Sequence, residues 1–271
     1  TLTWGLTMLE TAMLASLPLL IGFSIDGLLA GDWTPFQNFI AVLAGLLIVA
    51  TSRRIYDTRA YGTMQVELGK SLAERKANQP VSIVNARLGM GRELVDFLEQ
   101  EIPQVMTATI QVIASVVILM SFHNLLAASA AGAAVAIIII YGLFSHRFFR
   151  LNSVLNEQAE KQVTALESRD VAKLGTHLFA LRRVEVRLSD TESLVYAAVF
   201  AVLLSMLAFN LWFAATQSAA SPGQIFSIVT YSYEFVQSAV LLPMALQSLT
   251  RVSEITHRIN HFADAPKDLK T

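Results

Sequence analysis

The stretch FQNFIAVLAGLLIVATSRR (residues 36–54) decides how the rest of the chain is read. An uncharged, apolar run ends abruptly at the paired Arg53 and Arg54. A helix crossing the hydrocarbon of a bilayer needs about 20 predominantly apolar residues, and this alternation of apolar run and charged segment recurs along the chain. Six membrane spans are predicted, at about residues 4–30, 36–52, 103–122, 125–149, 194–215 and 224–249. Their apolar surface runs all the way round, unlike that of an amphipathic soluble helix. Pro18 and Pro243 fall inside spans, where neighbouring helices satisfy the freed backbone groups.

The connections are of two kinds. Those at 31–35, 123–124 and 216–223 are short, whereas 53–102 and 145–193 are long and charged. All 20 Lys and Arg residues lie in the two long segments or after the last span, and none lies in a short connection. Because basic residues stay on the cytoplasmic side, the long segments and both termini are placed in the cytoplasm. The expected location is a bacterial inner (plasma) membrane, crossed several times. Trp33 and Trp212 suit an outer aromatic belt and Trp4 an inner one. The predicted domains are a six-span transmembrane unit over residues 1–260 and a short cytoplasmic tail at 261–271.

The long segments are poor in Gly and Pro, and Leu151, Val154, Leu155 and Gln158 keep helical spacing. Spans two to five are therefore predicted to continue beyond the membrane as helices, reaching roughly 30–38 Å into the cytosol. Each long pair turns once, near residues 78–80 and near Gly175 and Thr176. The fold class is all-α.

Only 15% of residues are charged, against about 25% in a soluble domain. A net charge of −1 gives no nucleic-acid surface. With 0 Cys, disulfides, thiolate metal sites and a Cys nucleophile are excluded. Ser, His and Asp are scattered over different segments, so no hydrolase constellation is visible. No catalytic residue, metal ligand set or cofactor is expected, and the chain is not read as an enzyme.

Three phrases carry a family likeness: PLLIGFSIDGLLAGD (18–32), ARLGMGRELVDFLEQEIP (86–103) and SLTRVSEITHRI (248–259). The first resembles the end of the first span of an ABC exporter. The second resembles the return helix into the third span, and the third the segment joining the sixth span to the nucleotide-binding domain. With the six-span topology and two long inward hairpins, the chain resembles the membrane domain of ABC exporters without a nucleotide-binding domain. The resemblance implies a domain-entwined homodimer. Twelve residues follow Ile259, and the chain contains neither G-x-x-x-x-G-K-[ST] nor Leu-Ser-Gly-Gly-Gln, so no ATPase of its own is expected. The inward hairpin AERKANQPVSIVNARL (73–88) also lacks the aromatic residues with which exporters dock an ATPase.

Glu234 is the sharpest candidate for chemistry. It lies about ten residues into the last span, or about 15 Å, close to mid-membrane. An ionisable group there must face a cavity or a partner. Gln224, Ser227, Thr230, Tyr231, Gln237 and Ser238 share with it an arc of roughly 140°. The arc reads as the lining of a substrate or ion pathway formed by Ser227, Thr230, Tyr231, Glu234, Gln237 and Ser238. The alternative is a protonated Glu234 hydrogen-bonded to another helix and holding the bundle together.

Glu10 joins this set because it shares a face with Thr3, Thr7 and Thr11. A carboxylate in the inner third of a span also reaches the interface by snorkelling. Asp26 and Asp32 are explained by hydration or helix capping, and His123 by a solvated turn. The run AASAAGAAVA (127–136) is a close-packing surface. The charged phrases at 92–101 and 187–196 are solvated helix faces.

The expected function is a membrane transporter moving a small amphipathic or cationic molecule by alternating access, without its own ATPase and driven by an ion gradient. Its partners are the lipid bilayer, the small-molecule substrate and a second copy of itself. The alternatives are the transmembrane subunit of an ABC exporter served by a separate ATPase chain, and a non-transporting receptor or assembly partner.

Overall fold

The computed structural model describes the backbone of residues 2–74, 81–167, 170–217 and 219–261, and side chains outside 72–87, 90, 164 and 242–261. The described residues form α1 (Leu2–Ala30), α2 (Thr34–Glu74), α3 (Val81–Asp96), a π-helical turn (Phe97–Glu101), α4 (Ile102–Phe122), α5 (Asn124–Glu167), α6 (Val171–Thr216) and α7 (Pro222–His261). Among the described residues, five stretches are long and apolar enough to cross a bilayer: α1, 34–71 of α2, 91–122 through the π-turn into α4, α5 and α6. α7, whose side chains are described only as far as residue 241, is not one of the five.

The long helices follow from their sequences. α2, α5 and α6 have 41, 44 and 46 residues, or about 60–70 Å each at ~1.5 Å per residue, twice a hydrocarbon core. Large apolar side chains stand outward on them, including Leu47, Ile48, Ile138 and Leu143, each at least two-thirds exposed. An outward apolar surface of this extent suits lipid.

The terminations have identifiable causes. α1 ends in a Schellman motif: Gly31 takes φ +79°, Asp32 N–H donates to Gly27 O at 2.8 Å and Gly31 N–H to Leu28 O at 3.2 Å. The first predicted cytoplasmic turn, 78–80, lies outside the described residues. The second differs from expectation. The helix break falls between Glu167 and Val171, while Gly175 and Thr176 sit inside α6. Asp170 Oδ1 accepts the N–H of Ala172 at 2.9 Å and of Lys173 at 3.4 Å, an N-cap that outweighs the modest cost of a helical glycine.

The π-turn was not expected. Ile102 N–H donates to Phe97 O, a register shifted by one residue from the α-helix. In that register the next donor would be the N–H of residue 103, which is proline and has none. The carbonyl it would have served, Leu98 O, instead accepts from Tyr61 Oη of α2 at 3.1 Å.

The chain divides into two compact units, Thr1–Leu126 with Leu211–Thr271, and Ala127–Asn210. In the first, α1 packs on α2, α4 and α7, and α4 on α7. Gly22 and Gly223 allow α1 and α7 to touch. A Cβ on Gly22 would collide with Ser227 Oγ and Gly223 O. Asp26 of α1 caps α7, accepting Gly223 N–H at 2.8 Å and the Ser221 hydroxyl. In the second unit, Ala127, Ala130 and Ala133 are buried on one face of α5, as small residues at a close helix contact are. Ser129 Oγ donates to Asn210 Oδ1 of α6 at 2.6 Å.

Candidate functional site

The site lies wholly within the first unit, where α1, the middle of α2, the π-turn, α4 and α7 surround a cavity of about 560 Å³. That volume is within the range of pockets for small molecules, roughly 300–1,000 Å³. Each helix presents one polar stripe to it. α1 supplies Thr7, Glu10 and Thr11, and α4 supplies Gln104, Thr107 and Gln111. α7 supplies Glu234, Gln237 and Ser238. Apart from the adjacent pairs Thr11 with Glu10 and Ser238 with Gln237, members of each stripe recur three or four positions apart, one turn of a helix.

Three polar links cross the cavity walls. Gln111 Nε2 donates to Glu234 Oε2, joining α4 to α7. Thr11 and Thr107 share a hydrogen bond of 3.1 Å between α1 and α4. At one end, the Arg53 guanidinium on α2 pairs with Glu10 on α1 and, at 3.1 Å, with Asp57 one turn further along α2. Both Glu10 and Arg53 keep some exposure, at 16% and 25% of their side chains, so the pair is open to the cavity. Glu99, brought in by the π-turn, also lines it.

The predicted arc of α7 is therefore divided. Glu234, Gln237 and Ser238 line the cavity together with Glu10. Ser227 and Tyr231 are buried against α1, where Ser227 Oγ donates to Pro18 O at 2.9 Å and Tyr231 Oη to Ala15 O at 2.7 Å. Thr230 turns back on its own helix, donating to Phe226 O at 2.8 Å. Pro18 takes a donor out of the backbone ladder of α1, and α7 hydroxyls serve carbonyls beside it. Glu10 is held in an ion pair by Arg53.

Several lining residues were not singled out from the sequence. Arg53 was counted as one more cytoplasmic charge. Gln104, Thr107 and Gln111, spaced three and four apart in an otherwise apolar span, were a visible signal that went unused. His123 lies exposed between α4 and α5, its Nδ1 accepting Leu125 N–H at 3.1 Å, and its ring packs 4.7 Å from that of Phe213. Outside the membrane, Asp32 Oδ1 accepts the Thr34 N–H at 2.9 Å, which holds its carboxyl below the usual range. Among the described residues no group of three or more His, Asp or Glu side chains converges as a metal site would require.

The geometry can be set beside known proteins. No curated protein sequence matches the chain significantly. Among solved structures, the fold is similar to "a bacterial Atm1-family ABC exporter with ATP bound", at a TM-score of 0.66 and 14% identity. The alignment covers 99% of this chain and 53% of that one. This chain thus spans about half the length of the exporter it matches. Identity at that level speaks for the fold, an exporter-type membrane domain of a multi-pass protein. The sequence itself matches the ABC transporter transmembrane region over residues 1–223. By that match, which takes in most of its length, the chain belongs to the ABC transporter transmembrane region family.

Proposed function

We propose that this chain moves a small amphipathic cation across a bacterial plasma membrane by alternating access, as a homodimer, with the α1–α4–α7 cavity as the path. α7 is then a sixth span, and both termini are cytoplasmic. The observation that carries this reading is the cavity's electrostatic character. The carboxyl groups of Glu10, Glu99 and Glu234 line it, against the guanidinium of Arg53. Charged groups inside a membrane domain are costly unless paired or facing water, and they mark pathways. Apolar Leu14, Leu17 and Leu241 complete the walls, suiting a molecule with a hydrocarbon part and a positive head. A mid-membrane carboxyl also offers a group that takes up and gives back a proton, which supports coupling to a pH gradient.

A second reading, a transmembrane subunit driven by a separate ATPase chain, is supported by the family match and by an exporter relative of about twice the length. Purified protein in liposomes separates the two. Ethidium flux that follows an imposed pH gradient without any ATPase supports the first, and flux appearing only with an added ATPase chain and ATP supports the second. Ethidium retained equally by protein-containing and empty liposomes under both conditions rejects transport, and leaves a receptor or assembly role.

A further inference from the structure

We propose that Arg53 is a built-in competitor for the carboxyl of Glu10, which moves onto Asp57 when a cationic cargo arrives. This rests on the reading of the cavity as a cation path. Arg53 stands between two carboxylates, reaching both oxygens of Glu10 but only one of Asp57. Its Nε and Nη2 face Glu10, the latter at 3.5 Å, and its Nη1 donates to Asp57 Oδ2 at 3.1 Å. The other oxygen, Asp57 Oδ1, is buried and has no hydrogen-bond partner among the described residues. Asp57 as a whole is only 6% exposed.

An unserved oxygen on a buried carboxylate is costly, and the planar guanidinium fork is built to serve both oxygens of one carboxylate. Asp57, with an oxygen still to be served, is therefore a second seat for Arg53. Reaching it takes only a side-chain rotation, because residues 53 and 57 are one turn apart on α2 and already in contact. Glu10 lines the cavity and Asp57 does not, so an entering cation meets Glu10 and leaves Asp57 to the arginine. The tethered cation holds Glu10 neutralised while the path is empty. Cargo must displace it, and neutral molecules gain nothing there.

Competition of this kind multiplies the apparent affinity by the fraction of time Glu10 is free. If Arg53 occupies it about nine-tenths of the time, removing Arg53 tightens cation binding about tenfold. The test is ethidium binding, read by fluorescence anisotropy, to the purified full chain in nanodiscs. Arg53→Gln is expected to bind about tenfold more tightly than wild type. Asp57→Asn, which removes the second seat, is expected to bind severalfold more weakly, yet to have no effect on the Arg53→Gln background. A simple charge effect of Asp57 would persist on that background.

Unchanged or weaker binding by Arg53→Gln overturns the proposal, as does a loss from Asp57→Asn that survives in the double variant. Should Arg53→Gln not fold, Asp57→Asn decides alone: weaker binding supports the competitor, and unchanged or tighter binding overturns it. If wild type binds ethidium but the variants match it, the competitor fails and the cation path stands. If wild type and variants alike bind none, the cation path fails, and the competitor with it.

Discussion

Tyr61 of α2 donates its hydroxyl to Leu98 O at 3.1 Å, the carbonyl that Pro103 leaves without a donor in the π-turn entering α4. The tyrosine is itself 5% exposed. π-turns are rare and concentrate at functional positions. This one carries Glu99 and Gln100 to the cavity. Tyr61→Phe strands the carbonyl and is expected to lower stability by about 1–3 kcal/mol. Pro103→Ala restores a backbone donor, so the two changes are expected to be non-additive, with Tyr61→Phe costing less on the alanine background. Thermal unfolding of the detergent-purified variants gives all four values, and strict additivity would disprove the link.

The crossing of α1 over α7 depends on the absence of side chains. Gly22→Ala would push a methyl into Ser227 and Gly223, and overpacking of this kind costs about 1–3 kcal/mol. Gly62→Ala on α2 meets nothing within 4 Å and is expected to be neutral or mildly stabilising, since alanine is the better helix former by roughly 0.5–1 kcal/mol. A melting temperature that falls for Gly22→Ala and holds for Gly62→Ala checks the packing. Equal shifts would count against it.

Tyr231 and Glu234 are neighbours on one helix with different placements, and function should separate them. Tyr231→Phe removes a buried hydrogen bond to Ala15 O and is expected to cost about 0.5–1.5 kcal/mol while ethidium flux persists. Glu234→Gln keeps a hydrogen-bonding group beside Gln111 and is expected to retain the fold while abolishing gradient-driven flux. Flux and unfolding measured on the same preparations test both. The reverse pattern would move the path to the buried α1–α7 face.

How much of this was legible beforehand depended on what each residue's environment had to supply. The long helices were readable because apolar runs and sparse Gly and Pro are properties of the segment itself. The start of α6 at Val171 was missed because Gly175 was weighed above Asp170, although an N-cap marks a helix end more firmly than an internal glycine does. A helical wheel joins Ser227, Tyr231 and Glu234 on one side of α7, but it cannot say which part of that side another helix claims. The Pro18 and Ala15 carbonyls of α1 claimed the first two. Arg53 looked like an orientation signal, since nothing in its own segment points to Glu10, 43 residues away.

Topology has its own check, made easy by a chain with 0 Cys. Single cysteines at Asp32, His123 and Ala220 are expected to react with impermeant reagents from the outside of intact cells, and one at Asn156 only from the inside. Labelling of the first three solely from the cytosol would reverse the assignment of every span.

The central claim is that water and cations enter between α1, α4 and α7, and cysteine accessibility in the membrane tests it most directly. Gln104→Cys and Gln237→Cys face the cavity, whereas Ile113→Cys and Val117→Cys sit on outward, apolar positions of α4, 59% and 60% exposed. Reaction rates with a cationic, membrane-impermeant thiosulfonate are to be measured in proteoliposomes, with and without ethidium. The account predicts fast modification at 104 and 237, slowed by ethidium, and none at 113 and 117. Inert cavity positions, or equal rates at all four, would contradict it.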